Sequence, residues 1–261
     1  MDDARISRIN GRRKMKRIII YMDHPAHFHL FKNTILLLKE AGHDVKILIK
    51  KKDILEDLLK NQGWEYTNIH SKERGDSKLR IALALFKREL ALLKIVLKFK
   101  PHLMAGTSAE ITHIGKLINI PSIVVNEDDA SVVPLFAKIA YPLATAILAP
   151  NCCDCGKWNS KKTGYESYHE LAYLHPNHFT PDRSIVAKYI QEENYIILRF
   201  AKLNAHHDEG RKGIDDALAL KLIALLSPYG RVYITSERPL SNELEHYRIS
   251  INPLEIGRAH V

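Results

Sequence analysis

The chain has few cysteines, and their placement limits the kind of protein this can be. Its 261 residues include only three, Cys152, Cys153 and Cys155. They lie too close together to form a disulfide framework, which favours a reducing compartment. A free-thiol loop is the simpler interpretation, because a metal site would need further ligands such as His169 or His175.

The chain also lacks the features of membrane-spanning, secreted and nucleic-acid-binding proteins. No apolar run reaches the roughly 18 residues of a membrane span, and no separate signal-peptide core precedes the first strand. Zinc-finger spacing, an RNA-binding signature and basic blocks with interleaved aromatics are all missing. We therefore expect a cytoplasmic protein without a nucleic-acid partner. Its net charge of +9 favours binding of a phosphorylated small molecule or an anionic lipid.

A buried strand runs into a cluster of ionisable residues near the start of the chain. Residues 17–22 are an apolar run with three consecutive isoleucines, typical of a strand covered on both faces. Helical spacing over residues 30–41 and a strand over 45–49 complete a βαβ unit. Ligands of open α/β sheets bind at the carboxyl ends of strands. The sequence therefore predicts a site that includes Asp23, His24, His27 and His29.

Strand and helix patterns alternate along most of the remaining chain, which predicts a parallel, doubly wound α/β fold. Residues 150–183 interrupt the alternation and are interpreted as a crossover between domains. Asp53 is the expected N-cap of a helix over 53–62. The other expected helices are 78–100, 110–118, 133–141 and 214–226, and the other expected strands are 64–69, 102–105, 122–126, 146–149, 195–200 and 231–236.

The domain organisation follows from these patterns and from both ends of the chain. Residues 1–14 are interpreted as a disordered or spurious extension, because Met15 directly precedes the first strand. We expect an N-terminal domain over 15–183 and a partial C-terminal domain over 184–255. Residues 256–261 can be back-translated as ATCGGAAGAGCACACGTC, a common sequencing adapter. They are interpreted as an artefact that truncates the protein, and a genuine C-terminal hexapeptide is the alternative.

The long helix expected over 78–100 carries a stripe of positive charge. Arg80, Lys87, Lys94 and Lys98 have spacings that place them on one face. An ordinary surface helix with a solvated basic stripe is one interpretation. Attachment to an anionic membrane surface or to a lipid-phosphate substrate is the other.

Several short motifs, taken in order, resemble a known family. From Lys16 to about Pro253 the chain resembles the domain-of-unknown-function family of predicted glycosyltransferases related to UDP-N-acetylglucosamine 2-epimerase. The resemblance implies the GT-B arrangement, in which two Rossmann-like α/β domains face a cleft, here with a complete first and a truncated second domain. The motifs are Asp23-x-Pro25-x-His27-x-His29-x-Phe31, Gly42-His43-Asp44-Val45, Phe99-Lys100-Pro101, Ile120-Pro121-Ser122, and Tyr173-Leu174-His175-Pro176 with Phe179-x-Pro181-Asp182.

This resemblance implies transfer of a sugar from a UDP-linked or similar nucleotide sugar to a surface polysaccharide or glycolipid acceptor, without a cofactor or metal. The alternatives are a UDP-sugar 2-epimerase or hydrolase and a non-catalytic sugar-nucleotide binding module. The basic helix would allow peripheral contact with the inner face of the membrane. The nucleotide base and ribose are usually held later in the second domain, so the chain as given is expected to be inactive.

The histidine cluster supplies candidates for the base that glycosyl transfer needs. His24 and His27 are the candidate bases, because a histidine near neutral pKa can take the proton of an acceptor hydroxyl. Asp23 would orient one imidazole, and His29 is a substrate-binding candidate that falls near the first helical turn. The alternative is that these histidines only cap the first helix or line the interdomain crevice.

The family resemblance suggests further site residues. Glu127 is the nearest match to the catalytic glutamate of epimerases, with Asp128 beside it, although an acidic helix cap is the alternative. Thr107 and Ser108 would bind substrate oxygens or cap the helix 110–118. Their loop has no counterpart of the aspartate in the Gly-Asp-Thr loop of epimerases, which weakens the epimerase alternative. The segment Arg199–Asp208 resembles the histidine-bearing loop after the first strand of the second domain, which implies that His206 or His207 faces the sugar or its diphosphate. Arg199 is a further substrate-binding candidate.

Overall fold

The computed structural model describes residues 14–69, 78–200, 213–252 and 255. The chain divides into two compact units, and the boundary lies between His178 and Phe179. The domain boundary predicted after Arg183 lies a few residues further along the chain. The proposed N-terminal extension up to residue 13 and the proposed adapter residues 256–261 lie outside the described residues.

The first unit is built on a parallel sheet that has seven strands in the described part of the chain. The strand order is β3-β2-β1-β4-β5-β6-β7, which confirms the predicted α/β class. The strands are β1 (Arg17–Met22), β2 (Asp44–Ile49), β3 (Tyr66–Asn68), β4 (Leu103–Gly106), β5 (Ser122–Val125), β6 (Ala146–Pro150) and β7 (Lys162–Tyr165). The helices are α1 (Pro25–Glu40), α2 (Leu55–Asn61), α3 (Lys78–Phe99), α4 (Glu110–Leu117), α5 (Pro134–Ala140) and α6 (Leu171–Leu174).

Helix α1 begins earlier than its sequence pattern predicts. The expected start was residue 30, but the helix starts at Pro25 with His24 as its N-cap. Proline is favoured at the first helical position, because its missing N–H has no partner there in any case. Pro25 thus starts the helix as well as ending the strand, and it places His27 and His29 on the helix rather than in a loop.

Two other predictions need correction. The helix expected from Asp53 is shorter, Leu55–Asn61, and its N-cap is Ile54. Asp53 itself has a positive φ of 45°, a left-handed conformation in which it does not cap the helix. The crossover predicted over 150–183 contains a regular strand, β7, which pairs in parallel with β6.

The sheet has helices on both faces, and its strand order places a crevice next to β1. On one face, α3 and α4 pack against β1 and β4 through Leu92, Ile111, Ile19 and Met104. Helix α1 packs against the other face of the sheet through its own buried apolar side chains. The chain leaves β1 towards β2 and later returns to β4 on the other side. The gap beyond the carboxyl ends of β1 and β4 is thus the topological switch point, where open α/β sheets bind ligands.

The second unit has a smaller sheet in its described residues. Strands β8 (Tyr195–Phe200) and β9 (Arg231–Ser236) pair in parallel over their full length, as predicted. Its helices are α7 (Arg183–Val186), α8 (Asp216–Leu226) and α9 (Asn242–Glu245). Among the residues with described coordinates, no helix in either unit is both long and apolar enough to cross a bilayer.

Candidate functional site

Four side chains meet at the carboxyl ends of β1 and β4. The Asp23 carboxylate accepts hydrogen bonds from the hydroxyls of Thr107, at 3.2 Å, and Ser108, at 3.0 Å. His27 Nδ1 lies 2.9 Å from Asp23 Oδ1 and 2.8 Å from Thr107 Oγ1. The aspartate follows β1 and the histidine lies four residues later in the first turn of α1, whereas the hydroxyls come from the loop after β4. The fold thus joins four of the predicted site residues into one hydrogen-bonded cluster.

The Asp23 carboxylate favours one neutral tautomer of His27. A carboxylate only accepts hydrogen bonds, so His27 Nδ1 carries the proton and donates it to Asp23 Oδ1. The backbone N–H of Asp23 also approaches Nδ1, but its 3.4 Å distance is too long to compete with the carboxylate. The lone pair of neutral His27 is therefore on Nε2. With 23% of its side chain exposed, His27 is positioned to accept a proton from a ligand.

His24 has the opposite tautomer. Its Nδ1 accepts a hydrogen bond from the backbone N–H of Ala26 at 3.1 Å and so caps α1. A neutral His24 therefore carries its proton on Nε2 and acts as a donor there. Burial and the charges of Lys52 and His27 lower the pKa of His24 and favour this neutral form. The geometry assigns different chemistry to the two candidate bases, with His27 an acceptor and His24 a donor.

The surroundings of Asp23 keep it ionised. Burial by itself raises the pKa of this carboxyl, but hydrogen bonds from His27 and Ser108 and the charges of His27 and Lys50 outweigh it. The net effect lowers the pKa of Asp23 from 3.8 to about 2. A carboxylate that stays charged orients the His27 ring and stabilises the imidazolium that forms when His27 takes a proton.

A second carboxylate–imidazole pair lies on the same edge of the sheet. Glu127 follows β5, and its Oε2 accepts a hydrogen bond from His169 Nδ1 at 3.0 Å. That hydrogen bond lowers the pKa of Glu127 against the opposing effect of burial, and the charge of His27 lowers it further. Glu127 is therefore a weak base, but its side chain is 49% exposed and can accept hydrogen bonds from ligand hydroxyls.

His169 also borders an apolar cavity of about 570 Å³ between α1 and the sheet. Its ring stacks on Tyr165 with an interplanar angle of 8°. Its Nε2 is buried and has no hydrogen-bond partner among the described residues. Buried polar atoms normally have a partner, which makes this atom a site where a ligand hydroxyl would be favourable.

The acidic residues beside Glu127 do not act as a helix cap. Helix α5 starts at Pro134, and its N-cap Val133 makes no side-chain capping bond. Asp128 lies in the loop after β5, where its carbonyl accepts a hydrogen bond from the Asn126 amide at 2.6 Å. Within the described ranges, no group of three or more His, Cys, Asp or Glu side chains is arranged to hold a metal ion. All three cysteines are free, and Cys153 donates a hydrogen bond to the Glu127 carbonyl.

The remaining predicted site residues lie in several different places. Thr107 and Ser108 do not cap α4, whose N-cap is Ala109 without a side-chain bond. His29 lies on α1, and its ring packs 5.3 Å from that of Tyr173. Arg199 belongs to the second unit, where it pairs with Glu237 at 2.9 Å and remains exposed. His206 and His207 lie outside the described residues.

Sequence reasoning missed His169 as a partner of Glu127. It considered this histidine only as a metal ligand for the cysteines, because the segment after β7 lacks a periodic pattern. The signal that was available is local. His169 comes four residues after Tyr165, the last residue of β7, and the carboxyl ends of parallel strands meet at one edge of the sheet.

The comparisons with known proteins agree with this fold. The family described as "Protein of unknown function (DUF354)" matches residues 16–210. The chain superposes on UDP-GlcNAc 2-epimerase from Neisseria meningitidis bound to UDP-GlcNAc with a TM-score of 0.60 and 13% identity, covering 94% of this chain and 70% of that one. For the UDP-GlcNAc 2-epimerase from Methanocaldococcus jannaschii, the TM-score is 0.63, the identity 11% and the coverage 88% and 67%.

The UDP-N-acetylglucosamine 2-epimerase from Rickettsia bellii gives a TM-score of 0.60 at 11% identity, covering 92% of this chain and 69% of that one. The comparison with curated proteins gave no match. At such low identities the structural likeness shows the fold alone, and it confirms the predicted Rossmann-like architecture.

Proposed function

Since this chain belongs to the family described as "Protein of unknown function (DUF354)", and its switch-point crevice holds a carboxylate-oriented histidine, we propose that it is a glycosyltransferase that uses a nucleotide-sugar donor. The observation that carries the proposal is the Asp23–His27 pair, which leaves His27 Nε2 with a free lone pair at the carboxyl edge of the sheet. The acceptor is proposed to be the hydroxyl of a saccharide or glycolipid, and the donor a UDP-linked sugar.

In the proposed reaction, His27 Nε2 takes the proton of the acceptor hydroxyl while the hydroxyl oxygen attacks the anomeric carbon. The bond from that carbon to the diphosphate oxygen breaks, and the nucleoside diphosphate leaves with the bonding electrons. Asp23 stabilises the imidazolium that forms on His27. His24, as a donor at Nε2, can give a hydrogen bond to a diphosphate oxygen, and the N-terminus of α1 favours negative charge at the same place.

Glu127 is proposed to bind rather than to catalyse. Its lowered pKa makes it a poor base, while its exposed carboxylate can accept hydrogen bonds from sugar hydroxyls. Thr107 and Ser108 hold Asp23 in place. The proposed assignment therefore gives the proton transfer to His27 and leaves the acidic loop after β5 for substrate orientation.

The test measures release of nucleoside diphosphate by the full-length gene product from a panel of nucleotide sugars, with and without saccharide and glycolipid acceptors. We expect acceptor-dependent release, and loss of about 100-fold or more of the turnover in His27→Ala. His43→Ala is the matched control, because His43 lies at the opposite edge of the sheet, where its Nδ1 accepts from Lys16 N–H. If His27→Ala keeps turnover within about threefold of wild type, the assignment of the base is wrong.

A nucleotide-sugar epimerase or hydrolase is the second candidate, favoured by the superposition on epimerase structures with TM-scores of 0.60 and 0.63. Such an enzyme would convert the sugar nucleotide without any acceptor. Incubation with the sugar nucleotide alone, followed by analysis of the sugar, separates the two reactions. Ligand binding without any product would instead indicate a non-catalytic binding module.

A further inference from the structure

Helix α3 presents an apolar stripe on its outer side. Its buried side chains Leu92 and Val96 contact the core of the first unit. Large apolar side chains on the outer side are left 42–58% exposed in the structure, with spacings of three, four and seven residues that place them along one face. These four residues, which we call the outer stripe, are Leu83, Phe86, Leu90 and Leu97.

From Leu83 onward, where the side chains of α3 are described, the exposed charged residues of the helix are all positive. Lys87, Lys94 and Lys98 are exposed and follow the same face of the helix. The one acidic residue in the segment 83–100 is Glu89, whose carboxylate is hydrogen-bonded to His113 on α4. Arg88 likewise turns to α4 and pairs with the buried Glu110 at 2.6 Å. The polar groups that face α4 are therefore matched, and the outer face combines leucine, phenylalanine and lysine.

This combination indicates the chemistry of the partner. A helix with exposed leucine and phenylalanine beside a row of lysines matches the surface of a bilayer that contains anionic lipid, since the apolar groups enter the headgroup boundary and the lysines meet phosphates. A second copy of the same helix would bring lysines against lysines. Nucleic acid would satisfy the lysines but would leave the apolar stripe exposed to water.

We propose that the outer face of α3 binds the protein peripherally to anionic membrane surfaces. The apolar stripe supplies contact that is independent of salt, and the three lysines supply attraction that salt screens. Three lysines near an anionic surface predict binding about 100-fold stronger to anionic than to neutral vesicles. The inference does not depend on the proposed reaction, because binding to lipid is measured without any sugar nucleotide.

The experiment is vesicle flotation of the full chain with phosphatidylcholine vesicles, with and without phosphatidylglycerol. Wild type should float with the anionic vesicles only, and high salt should weaken that binding by tenfold or more. The double variant Phe86→Ser/Leu90→Ser should bind at least tenfold more weakly, and Lys87→Glu/Lys94→Glu should not bind. These side chains are exposed, so circular dichroism spectra should remain those of the wild type.

The matched controls lie on the helices of the opposite face of the sheet. Leu37→Ser changes an exposed leucine of α1, and Lys60→Glu changes an exposed lysine of α2. Both should float like wild type. The proposal is overturned if wild type binds neither kind of vesicle, or if the α3 variants bind as well as wild type. It is overturned as well if the control variants lose as much binding as the α3 variants lose. It is also overturned if light scattering shows a dimer that Phe86→Ser/Leu90→Ser converts to a monomer, since the stripe would then join two copies.

Discussion

Replacing Asp23 by asparagine should destabilise the first unit by about 2 kcal/mol near pH 5. The folded structure lowers the pKa of this carboxyl from 3.8 to about 2. Each unit of pKa shift corresponds to about 1.4 kcal/mol of preference for the ionised form. Asparagine has nearly the shape of a protonated carboxyl and can still accept from His27, so the variant loses chiefly the charge. Only 29% of the Asp23 side chain is exposed, which limits screening by solvent.

The sign of the pH dependence follows from the direction of the shift. A carboxyl with a depressed folded-state pKa contributes its stability above its unfolded value and loses that contribution as the pH falls through the folded value. The difference between wild type and Asp23→Asn should therefore be complete above about pH 4 and shrink towards pH 2. An exposed aspartate at the start of β2 supplies the matched control, Asp44→Asn, which should behave like wild type.

Urea unfolding followed by tryptophan fluorescence measures this difference in the first unit alone. The chain has two tryptophans, Trp64 and Trp158, and both belong to that unit. With an ordinary dependence on urea, the loss corresponds to a midpoint lower by about 1 M. Stability within about 0.5 kcal/mol of wild type near pH 5, or a difference that does not change between pH 5 and pH 2, would refute the assignment of Asp23 as a stabilising, ionised partner of His27.

Two further predictions concern the framework around the site. Gly106→Ala should destabilise the first unit by about 1–3 kcal/mol in the same urea assay, because its Cβ would overlap the backbone carbonyl oxygen of Tyr21. Gly164→Ala should cost much less, since its new Cβ would meet only the side chains of Asn151 and Lys162, which can move, and no backbone. Arg88→Met should cost about 3–5 kcal/mol by leaving Glu110 buried without its partner, and adding Glu110→Gln should recover part of the loss. Equal midpoints for the two glycine variants, or no loss in Arg88→Met, would contradict these expectations.

Much of the fold could be predicted because its strands are strongly apolar and their ends carry turn-forming residues. The first strand is Arg17–Met22, as the sequence indicated, and β8 and β9 also have the predicted bounds. Helix α1 was misplaced at its start because Pro25 was taken only as the end of the strand, although proline also starts helices. Strand β7 was missed because its four residues, Lys162–Tyr165, lack an apolar pattern.

The site could be predicted only in part, because its side chains come from distant segments. Asp23 and His27 are only four residues apart in the chain, so the sequence places them together. Which nitrogen of each histidine is free depends on contacts that no sequence pattern shows, such as the cap that His24 provides for Ala26 N–H. The pairing of Glu127 with His169 joins the loops after two strands that are not adjacent in the sheet, and this is a property of the folded structure.

The site is assembled from contacts of very different length along the chain. The cap of α1 joins positions only two residues apart, whereas the hydrogen bonds from Thr107 and Ser108 to Asp23 span 84 and 85 residues. Closing so long a loop costs chain entropy, which the pairing of β1 with β4 helps to offset. During synthesis, the histidines therefore leave the ribosome well before the hydroxyls that complete their surroundings. The carboxylate of Asp23 acquires its full set of partners only when β4 has joined the sheet.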